Sequence, residues 1–289
     1  MTRVRSFSRW ACLGLALAAL GCSHPPTTDA QAPPVPPLAL RARLPVGQHT
    51  RQVGRVAVDV RIPADSLRGT LLVLPGWNFS RTLWCDSTQL CRLADSLHLA
   101  LVLPEMGRSI YASRYYPETR ADYRHHLTLG WVTDTLLAWA RDSLALLRPG
   151  QPNYLLGLST GARGVALIAL ATDTLFRAGI ALSGDYDPRA MPADNLMRNT
   201  YGPYERFTGR WAGPDNPTTR AAALRVPLYL GHGQRDRVVP WQQTQLYADS
   251  LRAVNPTLPI VLHLAPAHRH DFTYWGGELA AAFAWSLTH

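Results

Sequence analysis

The chain has 289 residues and a formal net charge of +9, and each of its 29 basic residues is Arg, since the sequence contains no Lys. The absence of Lys excludes Schiff-base chemistry, pyridoxal-phosphate anchoring, P-loop phosphate binding and the protein-kinase mechanism. Hydrophobic residues make up 47% of the chain and charged residues 17%, which indicates one large globular domain with a substantial core. Because the Arg residues are scattered singly and form no basic run, we expect no nucleic-acid partner.

The first 21 residues have the parts of a bacterial export signal. Arg3, Arg5 and Arg9 form a basic region, and an apolar stretch follows at 10–20 that is too short to span a membrane. The small residues before Cys22 resemble the lipobox of bacterial lipoproteins, in which the Cys is acylated, although Ala occupies the position where Leu is usual. We therefore expect a lipoprotein-type signal peptide at residues 1–21 and lipidation at Cys22. The alternative is an ordinary secretory signal that is cut nearby.

Residues 22–40 are rich in Pro and predict an extended tether between a lipid anchor and a folded domain. We expect an exported protein of the bacterial cell envelope that is anchored to a membrane and faces the periplasm or the exterior. An oxidising compartment favours a disulfide between Cys85 and Cys91. Free thiols are an alternative, whereas metal ligation is disfavoured because no C-x-x-C motif or His partner stands nearby.

Strands and helices alternate along residues 41–289, which we interpret as one domain. The alternation of Val56, Val58, Val60 and Ile62 with other residues predicts a half-buried strand, and the apolar runs at 70–75 and 99–104 predict buried parallel strands, with helical spacing at 90–97 between them. The later predicted elements are a helix at 132–147, a strand at 153–158, a helix at 161–171, strands at 178–182 and 226–230, a helix at 241–254, a strand at 259–264 and a helix at 278–287. Repeated βα units predict an α/β fold with a mainly parallel central sheet and helices on both faces.

Two aromatic-rich segments, residues 104–130 and 186–220, interrupt this alternation. Each follows a predicted strand on the carboxyl-end side of the sheet, where open α/β sheets place their ligand sites. We expect these insertions to form walls of a binding site, with Arg108, Arg114 or Arg120 available to pair with an anionic substrate. The alternative is that their aromatic residues pack only among themselves.

A G-x-S-x-G motif spans residues 157–161, between a predicted strand and a predicted helix. This strand–turn–helix context is what a nucleophile elbow needs, with Ser159 as the nucleophile. A serine hydroxyl is a weak nucleophile, so it requires a base and the base requires an orienting acid. Acidic and His residues stand in the required chain order on the next post-strand loops, at 231–240 and 265–272.

These motifs resemble those of α/β-hydrolases of the esterase and prolyl-oligopeptidase-like group, over roughly residues 50–289. The resemblance makes Asp236, in an H-G-x-x-D-x-x-V-P segment, the triad acid, and His270, in an H-D-F segment, the base. It leaves His232 as a structural residue. The alternatives are His268 as the base and Asp185 or Asp187 as the acid.

The segment that begins at Pro75 resembles the oxyanion loop of the same family, with Pro75 where a His is common. Since the donor in this loop is a main-chain N–H group, the resemblance implies that the N–H groups of Trp77 and Thr160 form the oxyanion hole.

The function that the resemblance implies is hydrolysis of a small-molecule or glycan carboxylic ester through a Ser-His-Asp triad and an acyl-enzyme, without a metal or other cofactor. A peptidase or an acyltransferase would use the same triad. A non-catalytic surface binding lipoprotein on this fold is the remaining alternative. The sequence does not indicate an oligomeric state.

Overall fold

The structure is a computed structural model that describes residues 40–289. A sheet of eight strands lies at the centre of this part of the chain. The strands are β1 (Gly47–Val53), β2 (Val56–Ile62), β3 (Gly69–Leu74), β4 (Leu99–Pro104), β5 (Asn153–Leu158), β6 (Ala178–Leu182), β7 (Leu228–Gly233) and β8 (Ile260–Ala265). Their order across the sheet is β1-β2-β4-β3-β5-β6-β7-β8. The β1–β2 and β2–β4 pairs are antiparallel and the other neighbours are parallel, which confirms the predicted sheet.

Helices cover both faces of this sheet. They are α1 (Leu83–Ser87), α2 (Leu90–Ser96), α3 (Leu137–Leu144), α4 (Thr160–Thr172), α5 (Asn195–Tyr201), α6 (Thr208–Trp211), α7 (Gln242–Val254) and α8 (Phe272–Ser286). One buried cluster joins the sheet to α3, α4 and α7, and a second joins its other face to α1, α2 and α8. The short helices α5 and α6 belong to the second insertion.

The central strands are apolar along their whole length because both of their faces are buried. In β3, Leu72 packs into the cluster under α4, while Leu71 and Val73 pack into the cluster under α8. All six residues of β3 and all six of β4 are buried. The continuous apolar runs of the sequence therefore correspond to parallel strands covered on two sides.

The helix that the sequence predicts at 132–147 differs from the one observed. A π-helical segment at Trp131–Leu136 leads into α3, which ends where Ala145 adopts a left-handed conformation with φ 60°. The last helix begins earlier than predicted, because the carboxylate of Asp271 accepts a hydrogen bond from the N–H of Tyr274 at 3.0 Å and caps α8. The structure also contains strand β1, which the sequence analysis does not predict.

Cys85 and Cys91 form a disulfide between α1 and α2, as predicted. The predicted signal peptide, the lipidation site Cys22 and the tether up to residue 39 lie outside the described residues. Within residues 40–289, no helix is long and apolar enough to cross a membrane.

Candidate active site

Ser159 stands in a sharp turn between β5 and α4, with a backbone conformation (φ 54°, ψ −125°) that residues other than Gly rarely adopt. The two flanking glycines make this turn possible. A Cβ atom on Gly157 would lie 2.2 Å from the carbonyl oxygen of Gly161, and one on Gly161 would lie 2.6 Å from that of Leu74. The main-chain N–H of Ser159 donates to Leu182 at the end of β6, at 2.9 Å. The tight turn thus fixes Ser159 at the carboxyl edge of the sheet.

Asp236 follows β7 and His270 follows β8, and the structure brings their side chains together. The distance from His270 Nδ1 to Asp236 Oδ2 is 2.6 Å. The other carboxylate oxygen of Asp236 accepts hydrogen bonds from the N–H groups of Val238 and Val239, at 2.8 and 2.9 Å. The Asp236 side chain is fully buried, so its orientation is set by these contacts.

A second imidazole, that of His232, also holds Asp236. His232 is fully buried, and its Nε2 lies 3.0 Å from Asp236 Oδ2 and 3.1 Å from the carbonyl oxygen of Val239. Since both neighbours are acceptors, Nε2 carries the proton and donates, and Nδ1 accepts from the hydroxyl of Thr244 at 2.6 Å. His232 therefore has the structural contacts that the sequence interpretation expects of it.

The carboxylate of Asp236 remains ionised in this environment. Burial by itself raises the pKa of Asp236, but the hydrogen bonds from His232 and His270, the nearby charge of His270 and the Val239 N–H lower it well below its usual range. An ionised carboxylate facing Nδ1 of His270 fixes the proton of the neutral ring on Nδ1. The lone pair of the neutral ring is consequently on Nε2.

Ser159 and His270 line one cavity of about 360 Å³. Its other lining residues are Trp77, Phe79, Thr160, Asp185, Met191, Asp194, Leu196, Met197, Val238 and Val239. The ring of His270 packs edge-on against Trp275, with 5.0 Å between centroids, which restrains its orientation. A strained serine and a His–Asp pair at one cavity can perform nucleophilic acyl transfer.

The two residues expected to form an oxyanion hole both lie at this cavity. Thr160 is the first residue of α4, so the positive end of the helix dipole points toward the site. Within the described residues, neither the N–H of Trp77 nor that of Thr160 has a hydrogen-bond acceptor in the protein. Two free main-chain donors beside a serine are suited to stabilising negative charge on an oxygen.

Tyr111, which lies in the first insertion, contacts the segment after β3 that is expected to supply the oxyanion hole. It is fully buried, has φ 56°, and its hydroxyl donates to the carbonyl oxygen of Pro75 at 2.9 Å. No local sequence signal marks this role, because the two residues meet only when the insertion folds back over the sheet.

The alternative triad residues have other contacts. His268 is exposed, and its ring packs on Tyr274. Asp187 accepts hydrogen bonds from Arg189 at 2.7 and 2.9 Å and from Asn216 at 2.7 Å. Asp185 lines the cavity, but its partner is Arg163 on α4.

The first insertion meets the cavity through aromatic contacts. Tyr123 and His126 pack against Trp77, at 5.1 and 5.9 Å between centroids. None of the three arginines proposed above as anion partners, Arg108, Arg114 and Arg120, is among the residues that line this cavity. Residues 40–289 contain no group of three or more His, Cys, Asp or Glu side chains arranged to hold a metal ion.

Comparison with known families adds independent evidence. The model of a family described as "Putative esterase" matches residues 68–286, which include the elbow, the acid loop and the base loop. The chain belongs to this esterase family. The assignment agrees with the resemblance seen in the sequence motifs.

Curated relatives and solved structures agree with the family assignment. The chain is 28% identical over 149 residues to an isoprenylcysteine alpha-carbonyl methylesterase of Arabidopsis thaliana, covering 43% of the chain and 35% of the relative. It is 25% identical over 210 residues to LipM, named as a probable carboxylic ester hydrolase, of Mycobacterium tuberculosis, covering 62% and 45%. The chain thus spans less than half of the length of either relative.

The fold of this esterase-family protein is that of a solved serine hydrolase. FphF, a fluorophosphonate-binding serine hydrolase of Staphylococcus aureus, superposes with a TM-score of 0.67 and 19% identity, over 83% of this chain and 96% of FphF. The predicted α/β-hydrolase fold is therefore confirmed.

Proposed function

We propose that this protein hydrolyses carboxylic esters, with Ser159 as nucleophile, His270 as general base and acid, and Asp236 as the acid that orients His270. The proposal rests on one observation: the strained serine of the elbow and the hydrogen-bonded pair of His270 and Asp236 lie at the same cavity. In this pair, Nδ1 of His270 is 2.6 Å from Oδ2 of Asp236. The membership in an esterase family supports the same reaction.

The first half of the reaction forms an acyl-enzyme. His270 Nε2 takes the proton of Ser159 as its Oγ attacks the carbonyl carbon of the ester. The N–H groups of Trp77 and Thr160 stabilise the negative oxygen of the tetrahedral intermediate. Asp236, ionised and fixed by the N–H groups of Val238 and Val239, stabilises the imidazolium. When the intermediate collapses, the ester C–O bond breaks and His270 gives its proton to the departing alcohol.

The second half releases the acid. His270 deprotonates a water molecule, and the resulting hydroxide attacks the acyl carbon. The second tetrahedral intermediate expels the Ser159 oxygen, which regains a proton from His270, and the carboxylic acid leaves. Each group returns to its starting protonation state, so no cofactor is required.

The wall of the cavity favours a largely apolar substrate group. Met191, Leu196, Met197 and Val239 supply aliphatic and thioether surface, and Phe79 supplies an aromatic ring. Such a wall binds the acyl or the alcohol half of an ester by burying its apolar surface.

The test compares Ser159→Ala with Ser96→Ala, a substitution of an exposed serine in α2. We expect Ser159→Ala to lower kcat on phenyl acetate by at least about a thousandfold, since the acyl-enzyme can no longer form. A fluorophosphonate probe is expected to label the native protein and Ser96→Ala, but not Ser159→Ala. Undiminished turnover in Ser159→Ala would contradict the proposed nucleophile.

We also propose that the protein is exported and anchored to a membrane of the cell envelope through Cys22. The support is the lipobox-like sequence before Cys22 and the Pro-rich segment after it. The Cys85–Cys91 disulfide fits an oxidising compartment.

A further inference from the structure

One residue that lines the cavity of the proposed active site, Asp185, forms an ion pair that the mechanism above does not use. Asp185 lies in the loop after β6, and Arg163 lies on α4, one helical turn beyond Ser159. Arg163 Nη1 donates to Asp185 Oδ2 at 3.2 Å. Asp185 lines the cavity and is 3% exposed, whereas Arg163 is fully buried and is not among the lining residues.

Each partner keeps one buried polar atom without a hydrogen-bond partner among residues 40–289, Nε of Arg163 and Oδ1 of Asp185. Besides Asp185, the guanidinium of Arg163 donates to the hydroxyl of Tyr201 at 2.8 Å and to the carbonyl oxygen of Asp215 at 2.5 Å. Of the two residues with an unpartnered atom, Asp185 is the one that lines the cavity. A buried carboxylate oxygen without a donor is unfavourable unless something else supplies one.

The surroundings of Asp185 indicate the type of donor. The neighbouring cavity wall consists of the apolar side chains of Met191, Leu196 and Met197 and the carboxylate of Asp194. The charge of Asp185 is already balanced by Arg163, and a second cation would be placed beside a buried guanidinium in a mostly apolar site. A neutral donor fits this environment better, because it satisfies the oxygen without adding charge. Among neutral donors, the hydroxyl group is the smallest that an ester substrate commonly carries.

We propose that Asp185 is a specificity-determining residue that accepts a hydrogen bond from a hydroxyl group of the ester substrate, in the half that occupies this cavity. The inference rests on the proposed esterase function. It assigns the substrate to a class: esters with an apolar acyl or alcohol group that carries a hydroxyl. An analogue without the hydroxyl leaves the carboxylate oxygen unpaired and is disfavoured.

The first test measures selectivity in the native protein. The acyl pair is p-nitrophenyl 3-(4-hydroxyphenyl)propanoate against its 4-methoxy analogue, and the alcohol pair is 4-hydroxyphenyl acetate against 4-methoxyphenyl acetate. A methoxy group is an acceptor only, so it cannot donate to Asp185. We expect kcat/KM to favour the hydroxyl compound by about 10-fold or more in one of the pairs. Ratios within about twofold of unity in both pairs would overturn the inference.

The second test compares Asp185→Asn with Asp249→Asn. In Asp185→Asn, the side-chain oxygen keeps the bond to Arg163, and the amide NH₂ places a donor where the free acceptor was. The hydroxyl preference is then expected to fall at least about 10-fold. Asp249 is exposed on α7, is not among the residues that line the cavity, and accepts hydrogen bonds from Gln245 on the same helix, so the ratio is expected to stay at the native value in Asp249→Asn. Equal ratios in the two variants would overturn the role of Asp185.

A pH series on the native protein avoids any folding defect of the variant. Burial raises the pKa of Asp185 to about 6, against the lowering effect of Arg163. The titratable and charged groups around Asp185 are Arg163 on α4, Asp194 and Tyr201 at the two ends of α5, Asp215 in the second insertion, Tyr186 next in the chain and His270 across the cavity. Effects of pH on the acyl-transfer chemistry itself are common to both substrates, so they cancel in the hydroxyl-to-methoxy ratio. The ratio is expected to decrease as the pH falls below about 6, because protonated Asp185 loses its acceptor, and a ratio that does not change with pH would contradict the inference.

The outcomes separate this inference from the proposed function. If the native protein hydrolyses phenyl acetate and reacts with the fluorophosphonate probe but shows no hydroxyl preference, only the role of Asp185 fails. If it does neither, the esterase proposal fails and this inference fails with it.

Discussion

Ser159 is held in a backbone conformation that is unfavourable for a residue with a side chain, and its neighbours make that conformation possible. The atoms around Gly157 and Gly161 leave no room for a Cβ atom. The strain is local, while the compensation comes from the buried β5 and α4 on either side of the turn. The position of the proposed nucleophile thus depends on two residues that have no side chain to take part in the reaction.

This dependence predicts the effect of Gly157→Ala. The added Cβ would lie 2.2 Å from the carbonyl oxygen of Gly161, so the turn must shift. We expect a loss of stability of about 3 kcal/mol and loss of fluorophosphonate labelling, measured by urea denaturation and by gel. The control is Gly277→Ala in α8, where nothing lies within 4 Å of the new Cβ and helix propensity predicts a gain of up to about 1 kcal/mol. Native stability and labelling in Gly157→Ala would show that the turn tolerates a side chain.

The catalytic residues that the sequence predicts are those that lie in a recognisable sequence motif. Ser159, Asp236 and His270 each stand in a short pattern with a fixed relation to a strand end, and the structure brings them to one edge of the sheet. Tyr111 and Asp185 have no such pattern. The contact of Tyr111 with Pro75 forms only when the first insertion folds over the sheet, and that of Asp185 with Arg163 forms only when α4 packs beside the end of β6.

At the scale of elements, the hairpin of α1 and α2 connects the disulfide to the site. Trp84, in α1 beside Cys85, is buried, and its Nε1 donates to the carbonyl oxygen of Leu74 at 3.3 Å. Leu74 ends β3 and immediately precedes the proposed oxyanion loop. Trp84 also packs edge-on against Phe272, two residues after His270. The disulfide therefore stabilises a support that lies under two parts of the proposed catalytic machinery.

We expect the double variant Cys85→Ser/Cys91→Ser to be about 2 kcal/mol less stable than the native protein. The bridge closes a loop with a sequence separation of 6, and a loop this short constrains the unfolded chain moderately. The measurement is the midpoint of urea denaturation with and without dithiothreitol. The reductant is expected to lower the native midpoint and to leave that of the double variant unchanged, and a native midpoint that does not respond to it would contradict the stabilising role.

The elements that the sequence predicts and those that it misses differ in what stabilises them. Strands β2 to β7 are marked by apolar residues that the sheet buries, and β8, at the other edge, is marked by apolar residues that are mostly half-buried. Strand β1 is polar and mostly exposed, as expected of an edge strand, so its sequence carries little signal. Helices α5 and α6 are too short to be stable alone, and they depend on buried residues such as Tyr201 and Trp211, which pack in a cluster of the two insertions.

At the scale of the whole molecule, the proposed reaction and the proposed location depend on separate parts of the chain. The esterase-family match and the whole sheet lie within residues 40–289. The proposed anchor at Cys22 precedes them, separated by a segment rich in Pro that favours extended backbone. A domain on such a tether is able to act on substrates away from the membrane surface, and removing the anchor should change the location without changing the catalysis.

The last prediction tests this separation with Cys22→Ala in cells that process bacterial lipoproteins. A single acyl chain binds membranes only weakly, whereas several chains on one Cys give stable anchoring. We expect the native protein to partition into the detergent phase of Triton X-114, and Cys22→Ala to move to the aqueous phase with unchanged kcat/KM on phenyl acetate. Cys12→Ala, in the segment expected to be removed, serves as the control and should remain in the detergent phase. If Cys22→Ala stays in the detergent phase, the anchor is not on Cys22, whereas a loss of activity on release would mean that the membrane contributes to catalysis.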